Sequence, residues 1–388
     1  MHVVEYRSLE AAAELREPWS ALLAKTPVAS FCQSWDWQSV LWRHLENRQR
    51  PLVLAVVEAG EVTGILPLSI ERERRKFGPL KVLKLAGDSW ASFFGPIARD
   101  PQQALLDCFE HLKRSVRNYD LLELSELRIA APRETPPSKL PVEPRQPVAL
   151  IDLVGDWESY RKSRRAKSSR WRNIERCERR LAEQGAIEYV RHRPRGAMHG
   201  DDDPRWDLFD ACQSVAQTSW QSGLADGNTI SHDAVRDFLR KSHQTAAACG
   251  ALDMNVLLQG GRPLAFLYGC HYRGYVEMIR AGFHPDFARL APGNALWAHL
   301  IRDSFARGDR VLDMGRAFLD YKQVWLTRIE FQHRLCYYPP TAWGQALRMA
   351  HWLRRQIPAA IDTNQRSKAT VAAQRESSPA AQESAPQG

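Results

Sequence analysis

The sequence predicts an α/β (α+β) protein built from two similar units, each a mixed, mostly antiparallel sheet flanked by helices, with a long basic helix joining them. Three observations carry that reading. A pair of apolar strands around a tight turn occurs twice, about two hundred residues apart. Each pair is followed by the same succession of strand, Gly/Pro loop, amphipathic helix and short strand. A dense run of arginine and lysine separates the two copies. The length of 388 residues agrees, since a typical domain has roughly 100–200.

In chain order, SWDWQSVLW reads as an early helix whose Trp35, Trp37 and Trp42 belong mostly in the core. LVLAVV (Leu52–Val57) turns at Glu58-Ala59-Gly60-Glu61 and returns as VTGILPLSI (Val62–Ile70), the first hairpin. A further strand, VLKLAG, leads to the bulky loop Phe93-Phe94-Gly95-Pro96, a helix over Pro101–Val116 and a strand over Asp120–Ser125. Pro132–Pro147 reads as the linker between units.

From Arg161 to Arg180 ten Lys or Arg face only Glu175 and Glu178, a local excess of eight positive charges that accounts for nearly all of the net +9. Tyr160, Trp171, Ile174, Cys177 and Leu181 share one narrow stripe at helical spacing, so one side packs and the rest faces solvent or a polyanion. A solvated face is the common fate of such runs. Eight uncompensated charges on one helix repel each other, however, and a bound anion would relieve that.

Helical patterns over Pro204–Trp220 and Ser231–Cys249 open the second unit, the latter with Ser231 as N-cap and Gly250 just past its end. LDMNVLL (Leu252–Leu258) turns at Gly260-Gly261 and returns as PLAFLYGCHY (Pro263–Tyr272). The strand YVEMIRAGF, a helix over Gly293–Arg307 and a strand over Arg310–Gly315 complete the repeat. The expected division is 1–150 for the first unit, 151–185 for the basic helix, 186–345 for the second unit, 346–363 for a terminal helix and 364–388 for a tail. That tail is rich in Ser, Ala, Gln and Pro without large apolar residues, so it is expected to be disordered.

Composition narrows the function classes. The seven cysteines are odd in number and never form C-x-x-C, which points to a reducing cytoplasm. Acidic residues interrupt the N-terminal stretch, and no later run approaches ~20 apolar residues, so a soluble intracellular protein is expected. The histidines form no metal pattern, and the absence of a G-x-S-x-G elbow and of a P-loop lysine removes hydrolase and NTPase readings.

The segment AGFHPDFARLAPGNALW runs from a strand through a small-residue loop into a helix. Such a join, here Leu290-Ala291-Pro292-Gly293-Asn294-Ala295, offers unpaired N–H groups and the positive end of a helix dipole, which suits a phosphate. The strand VLDMG follows, then Asp320-Tyr321-Lys322-Gln323-Val324-Trp325.

This order of elements resembles the GNAT acyltransferase fold, and the string "AGFHPDFARLAPGNALW … GDRVLDMGRAFLDYKQVW" resembles its CelD/BioF2-like branch, whose members pair two GNAT-like units as Fem-type transferases do. The resemblance implies an N-acyltransferase with acyl-CoA (acetyl or longer) as donor, no metal, and an amine acceptor such as an amino sugar in exopolysaccharide or cell-envelope synthesis. It implies that Leu290, Ala291, Gly293, Asn294 and Ala295 bind the donor's pyrophosphate. Pro292 removes one donor from that loop, and Arg289 stands one position earlier than the superfamily's usual Gln or Arg. The first unit, with Phe93 and Phe94 where phosphate would need room, is expected to be a degenerate partner shaping the acceptor cleft.

Direct amine attack on a thioester needs a base, a held acceptor and an acid for the thiolate. Tyr321 is the candidate acid or, alternatively, an anchor of the last helix to the sheet. Asp313 and Asp320 are candidates to orient or deprotonate the amine, or are structural caps. Lys322 and Trp325 resemble the family's Tyr-Lys-x-x-Trp signature and are assigned to substrate binding. Two other readings stand beside this one. One is a Fem-type transferase using aminoacyl-tRNA held by the Arg161–Arg180 helix. The other is a non-enzymatic scaffold that uses this helix and the basic amphipathic stretch Trp343–Gln356 on an anionic surface.

Overall fold

Apolar residues at period two wind the first half into strands, and those near period four into helices. The structure, a computed structural model, describes residues 1–76, 78–87, 90–115, 118–129, 140–168, 170–219, 230–316 and 318–356. The predicted tail 364–388 and residues 132–139 of the predicted linker lie outside these. Residues Met1–Pro339 form one compact unit, and Pro340–Gly388 a second. Among the described residues no helix is long and apolar enough to cross a membrane.

The first half comprises β1 (His2–Tyr6), α1 (Leu9–Ala12), α2 (Arg16–Lys25), α3 (Trp35–Leu45), the hairpin β2 (Gln49–Glu58) and β3 (Glu61–Arg75), then β4 (Gly78–Leu85), β5 (Ile97–Ala98), α4 (Pro101–Ser115) and β6 (Leu121–Leu127). Ser34 caps α3 by accepting the Trp37 amide, and Trp35, Trp37 and Trp42 are buried as expected. Next come β7 (Val142–Asp152), α5 (Trp157–Lys167) and α6 (Arg170–Glu183). The second half repeats the order: β8 (Ile187–His192), α7 (Trp206–Thr218), α8 (Arg236–Ala248), the hairpin β9 (Leu252–Gln259) and β10 (Arg262–Tyr272), β11 (Tyr275–Phe283), α9 (Pro292–Arg307), β12 (Val311–Asp313) and β13 (Arg328–Tyr337). The second unit contains α10 (Ala342–Gln356).

Three local expectations change. The basic run is two helices, because Ser168 is extended (φ −145°, ψ 122°) and its hydroxyl accepts the Arg170 amide at 3.2 Å, ending α5 and restarting the chain. The last part of the predicted linker is the start of β7. The helix expected from Ser231 begins at Arg236, after a 3-10 turn over Asp233–Val235 and without a side-chain cap.

One mixed sheet spans both halves in the order β1-β2-β3-β4-β6-β13-β7-β12-β11-β10-β9-β8, with β5 attached to β3. Each half contributes the same ladder, ending in one parallel pair, β4 with β6 and β11 with β12. The two central strands are exchanged. β7, which follows the first half, pairs with β12, whereas β13, at the end of the second, pairs with β6. β7 and β13 then pair with each other. Pro144 and Pro147 cannot donate to that ladder, and the register shifts between Phe331 and His333. One apolar core runs through the first half and on under α7 and α8, and a second lies under α5, α6 and α9.

β11 is held closely from both sides. On β10, a Cβ at Gly269 would lie 2.0 Å from the Glu277 carbonyl, and the register shifts there, leaving Ile279 as an extra residue on β11. On the other side, a Cβ at Gly315 would lie 2.3 Å from the Met278 carbonyl, and Gly315 has φ +81°. Gly269→Ala is therefore expected to destabilise the protein by about 2–4 kcal/mol, read as a lower urea midpoint in equilibrium unfolding.

Candidate active site

Tyr275 and Glu277 alternate on one face of β11, and the parallel register sets Glu277 directly beside Asp313 of β12. Both carboxyls are buried. Asp313 accepts the Tyr275 hydroxyl at 2.6 Å, the Ser92 hydroxyl at 2.9 Å and the Gly315 amide at 2.8 Å. Glu277 accepts the Ser92 amide at 2.6 Å through Oε1; the Ser30 hydroxyl also lies against this carboxyl and lowers it, and Oε2 makes no hydrogen bond of regular geometry. Burial, and then the neighbouring Asp313, push the Glu277 carboxyl up to about 8. Burial likewise raises Asp313, opposed by the Tyr275 and Gly315 donors.

Ser92 belongs to the first half. It is fixed because Phe94 bonds to the Glu126 carbonyl and bridges to Leu127 at the end of β6, and because Gln332 of β13 donates to the Ser92 carbonyl. Arg128, just beyond β6, donates to Glu330 at 2.6 Å and to the Tyr275 hydroxyl at 3.1 Å, with its guanidinium 4.0 Å over the Phe93 ring. The bulky Phe93-Phe94 loop of the first half thus reaches the carboxyl pair of the second.

Beyond Glu277 and Asp313 the parallel strands part. No strand among the described residues pairs with residues 278–283 of β11 on the β12 side. After Phe283 the chain makes a 3-10 turn over Pro285–Leu290 and enters α9 through Ala291. Ala291 is left-handed (φ 47°) and provides no side-chain cap, so the first-turn amides of α9 are served only locally: Asn294 and Ala295 bond back to the Ala291 carbonyl at 2.9 and 3.4 Å. A Cβ at Gly293 would meet only Phe283, at 3.7 Å. Leu290, Ala291, Gly293 and Asn294 are partly exposed, and Ala295 is buried. A groove of about 430 Å³ joins this loop to the end of α6, with Arg180, Gln184, Phe287, Arg289 and Leu290 among its lining.

The other sequence-predicted residues lie on the 3-10 turn Asp320–Val324 and the residue after it. Lys322 is buried, and its ammonium donates to the Gly315 and Arg316 carbonyls at 2.7 and 2.8 Å, tying down the turn that follows Asp313. Burial pulls it down to about 8, with Asp313 acting against that. Trp325 is buried against Trp171 of α6 with ring centroids 5.0 Å apart, and its carbonyl accepts the Tyr160 hydroxyl of α5. Tyr321 packs on the second core, and burial pushes its hydroxyl up. Asp320 is exposed and accepts from Gln323 at 3.3 Å.

In the basic run Arg164 is buried and donates to the Leu326 carbonyl, and Arg161 pairs with Glu158 and Glu175. The other eight cations are exposed. The structure therefore joins Asp313 with Lys322, and adds Glu277, Tyr275, Ser92 and Arg128, which the sequence reading had not singled out. A carboxylate at mid-strand in the apolar YVEMI was the available signal for Glu277. Nothing local marked Ser92, whose partners are 185 and 221 residues away.

Residues 168–323 match the family model of the acetyltransferase (GNAT) domain. No curated protein sequence matches. Among solved structures, FemX shares the fold with a TM-score of 0.57 at 10% identity, over 90% of this chain and 99% of that one. The C-terminal DUF2156 domain of an Agrobacterium fabrum protein described as a lysylphosphatidylglycerol synthetase aligns with a TM-score of 0.53 at 13% identity, over 88% and 97%. L-PGS from Bacillus licheniformis aligns with a TM-score of 0.50 at 10% identity, over 87% and 95%. These identities establish likeness of fold. With the family match over the segment that carries Glu277, Asp313 and the α9 loop, residues 168–323 form a GNAT acetyltransferase domain within a chain of FemX-like fold.

Proposed function

We propose that this acyltransferase moves an acyl group from an acyl-CoA to an amine acceptor in the cleft where β11 and β12 part. The observation that carries the reading is Glu277: a buried carboxyl with raised basicity, whose Oε2 makes no hydrogen bond of regular geometry, at the point where the strands open. Six residues of strand separate it from the end of β11, about 20 Å at the usual rise, and the α9 loop follows. A donor whose pyrophosphate meets Gly293 and Asn294 would lay its pantetheine arm along the free β11 edge, with the Arg180–Arg289 groove beside the nucleotide.

In this reading ionised Glu277 takes the amine proton as nitrogen attacks the thioester carbonyl. The C–N bond forms, the C–S bond breaks, and the leaving thiolate takes a proton from Tyr321. Asp313, held by Tyr275, Ser92 and Gly315, keeps Glu277 basic by repulsion, and Lys322 positions the Gly315 turn. Asp320, exposed on the 3-10 turn that carries Lys322, meets the acceptor, and Trp325 backs the site. The acceptor that the CelD/BioF2-like resemblance favours is an amino sugar of exopolysaccharide or cell-envelope synthesis, acylated in the cytoplasm. A second reading keeps the site and takes aminoacyl-tRNA as donor. It is favoured by the eight exposed cations of α5 and α6, which form a surface suited to a polyanion.

Calorimetry with acetyl-CoA, longer acyl-CoAs and charged tRNA separates the two. Acyl-CoA binding that raises Tm and is abolished in Gly293→Asp supports the first, because a carboxylate would occupy the anion's place. Salt-sensitive binding and consumption of charged tRNA, without response to any acyl-CoA, would replace it with the second.

Glu277→Gln should lower kcat by about 10²–10⁴-fold and remove the rise of activity through pH of about 8. Stability follows the opposite trend. The folded carboxyl keeps a proton that the unfolded chain releases near pH 4.5, so stability falls as pH rises from about 4.5 to about 8. Urea midpoints of Glu277→Gln across that window should be flatter than those of the parent.

Tyr321→Phe should lower kcat on the order of 10²–10⁴-fold with little change in KM. Unchanged turnover would return Tyr321 to a packing role.

A further inference from the structure

α10 has a surface that the catalytic reading does not use. Trp343, Met349, Trp352 and Leu353 are exposed by 46, 56, 53 and 51% within this one helix, and the other large exposed apolar side chains among the described residues are scattered through the chain. At 100° per residue Trp343, Ala346, Met349, Trp352 and Leu353 fall on one half of the helix circumference, and Arg348 lies just past its edge beside Trp352. Arg354 and Arg355 follow in sequence, and no acidic residue occurs between Thr341 and Ile361. An apolar face carrying two tryptophans, with arginine at its border and no carboxylate, has the chemistry of a helix lying in the boundary layer of an anionic bilayer. Protein-facing apolar surfaces have no need of that uniform positive charge.

We propose that α10 docks the protein on anionic lipid, its tryptophans, Met349 and Leu353 entering the headgroup boundary and Arg348 meeting lipid phosphate. The inference is independent of the acyl donor, since it concerns neither the cleft nor the α9 loop.

The test uses the full chain, sedimented with vesicles of phosphatidylglycerol and phosphatidylcholine in equal parts or of phosphatidylcholine alone. Binding to the anionic vesicles with a blue shift of tryptophan emission is expected, weakening about fivefold in Arg348→Ala. The Met349→Glu/Leu353→Glu variant should lose binding by tenfold or more while keeping the parent's thermal unfolding. Undiminished sedimentation of that double variant would assign lipid binding to the cations of α5 and α6 and overturn the proposal. Failure of the parent to bind either vesicle would overturn it too, as would a dimer lost in the double variant by light scattering, which would assign the face to a second copy of the chain.

Discussion

Two carboxyl groups buried side by side require either counter-charges or a set of donors in place, because each ion loses its hydration and repels the other. Here the donors come from four segments: the Tyr275 hydroxyl from β11 itself, the Ser92 amide and hydroxyl from the first half, the Gly315 amide from the turn after β12, and, behind Tyr275, the Arg128 guanidinium. Much of the surrounding architecture serves this arrangement. Gly269 and Gly315 let neighbouring backbone approach Glu277 and Met278, and buried Lys322 fastens the Gly315 turn. The result is asymmetric. Asp313 is fully served by donors, and Glu277 keeps one oxygen without a hydrogen bond of regular geometry.

The same donors link the halves electrostatically as well as in packing. Ser92 and Arg128 belong to the half without an open loop at its helix, yet they set the electrostatics of the other half's carboxyls. The first half is thus a contributor to the site's pKa values as well as a wall. Its Phe93, bulky where a phosphate would need room, lies under the Arg128 guanidinium.

The hairpins, β11, α4 and α9 were legible within a few residues, because each is a local periodic pattern bounded by Gly or Pro. Asp313 and Lys322 were legible by their place in a motif, though their partnership was not. The strand exchange was hidden: Pro144 and Pro147 make the first part of β7, Val142–Pro147, look like a linker, and a strand carries no mark of which distant edge it joins. Ser168 had no helix-breaking identity of its own, and only the fold sets it as the hinge between two helices. Glu277 was visible as an oddity inside an apolar strand, but its chemistry depends on Ser92 and Asp313, which sequence spacing cannot bring together.

The exchanged strands also impose an order on biosynthesis. β6 ends at Leu127, and the strand that covers its open edge, β13, does not begin until Arg328. While the ribosome makes the intervening two hundred or so residues, the first half carries an unpaired strand edge, and β7 waits with both edges free. The nascent first half is therefore exposed to off-pathway strand pairing until β13 has been made. A product truncated before Arg328 would keep that edge open permanently.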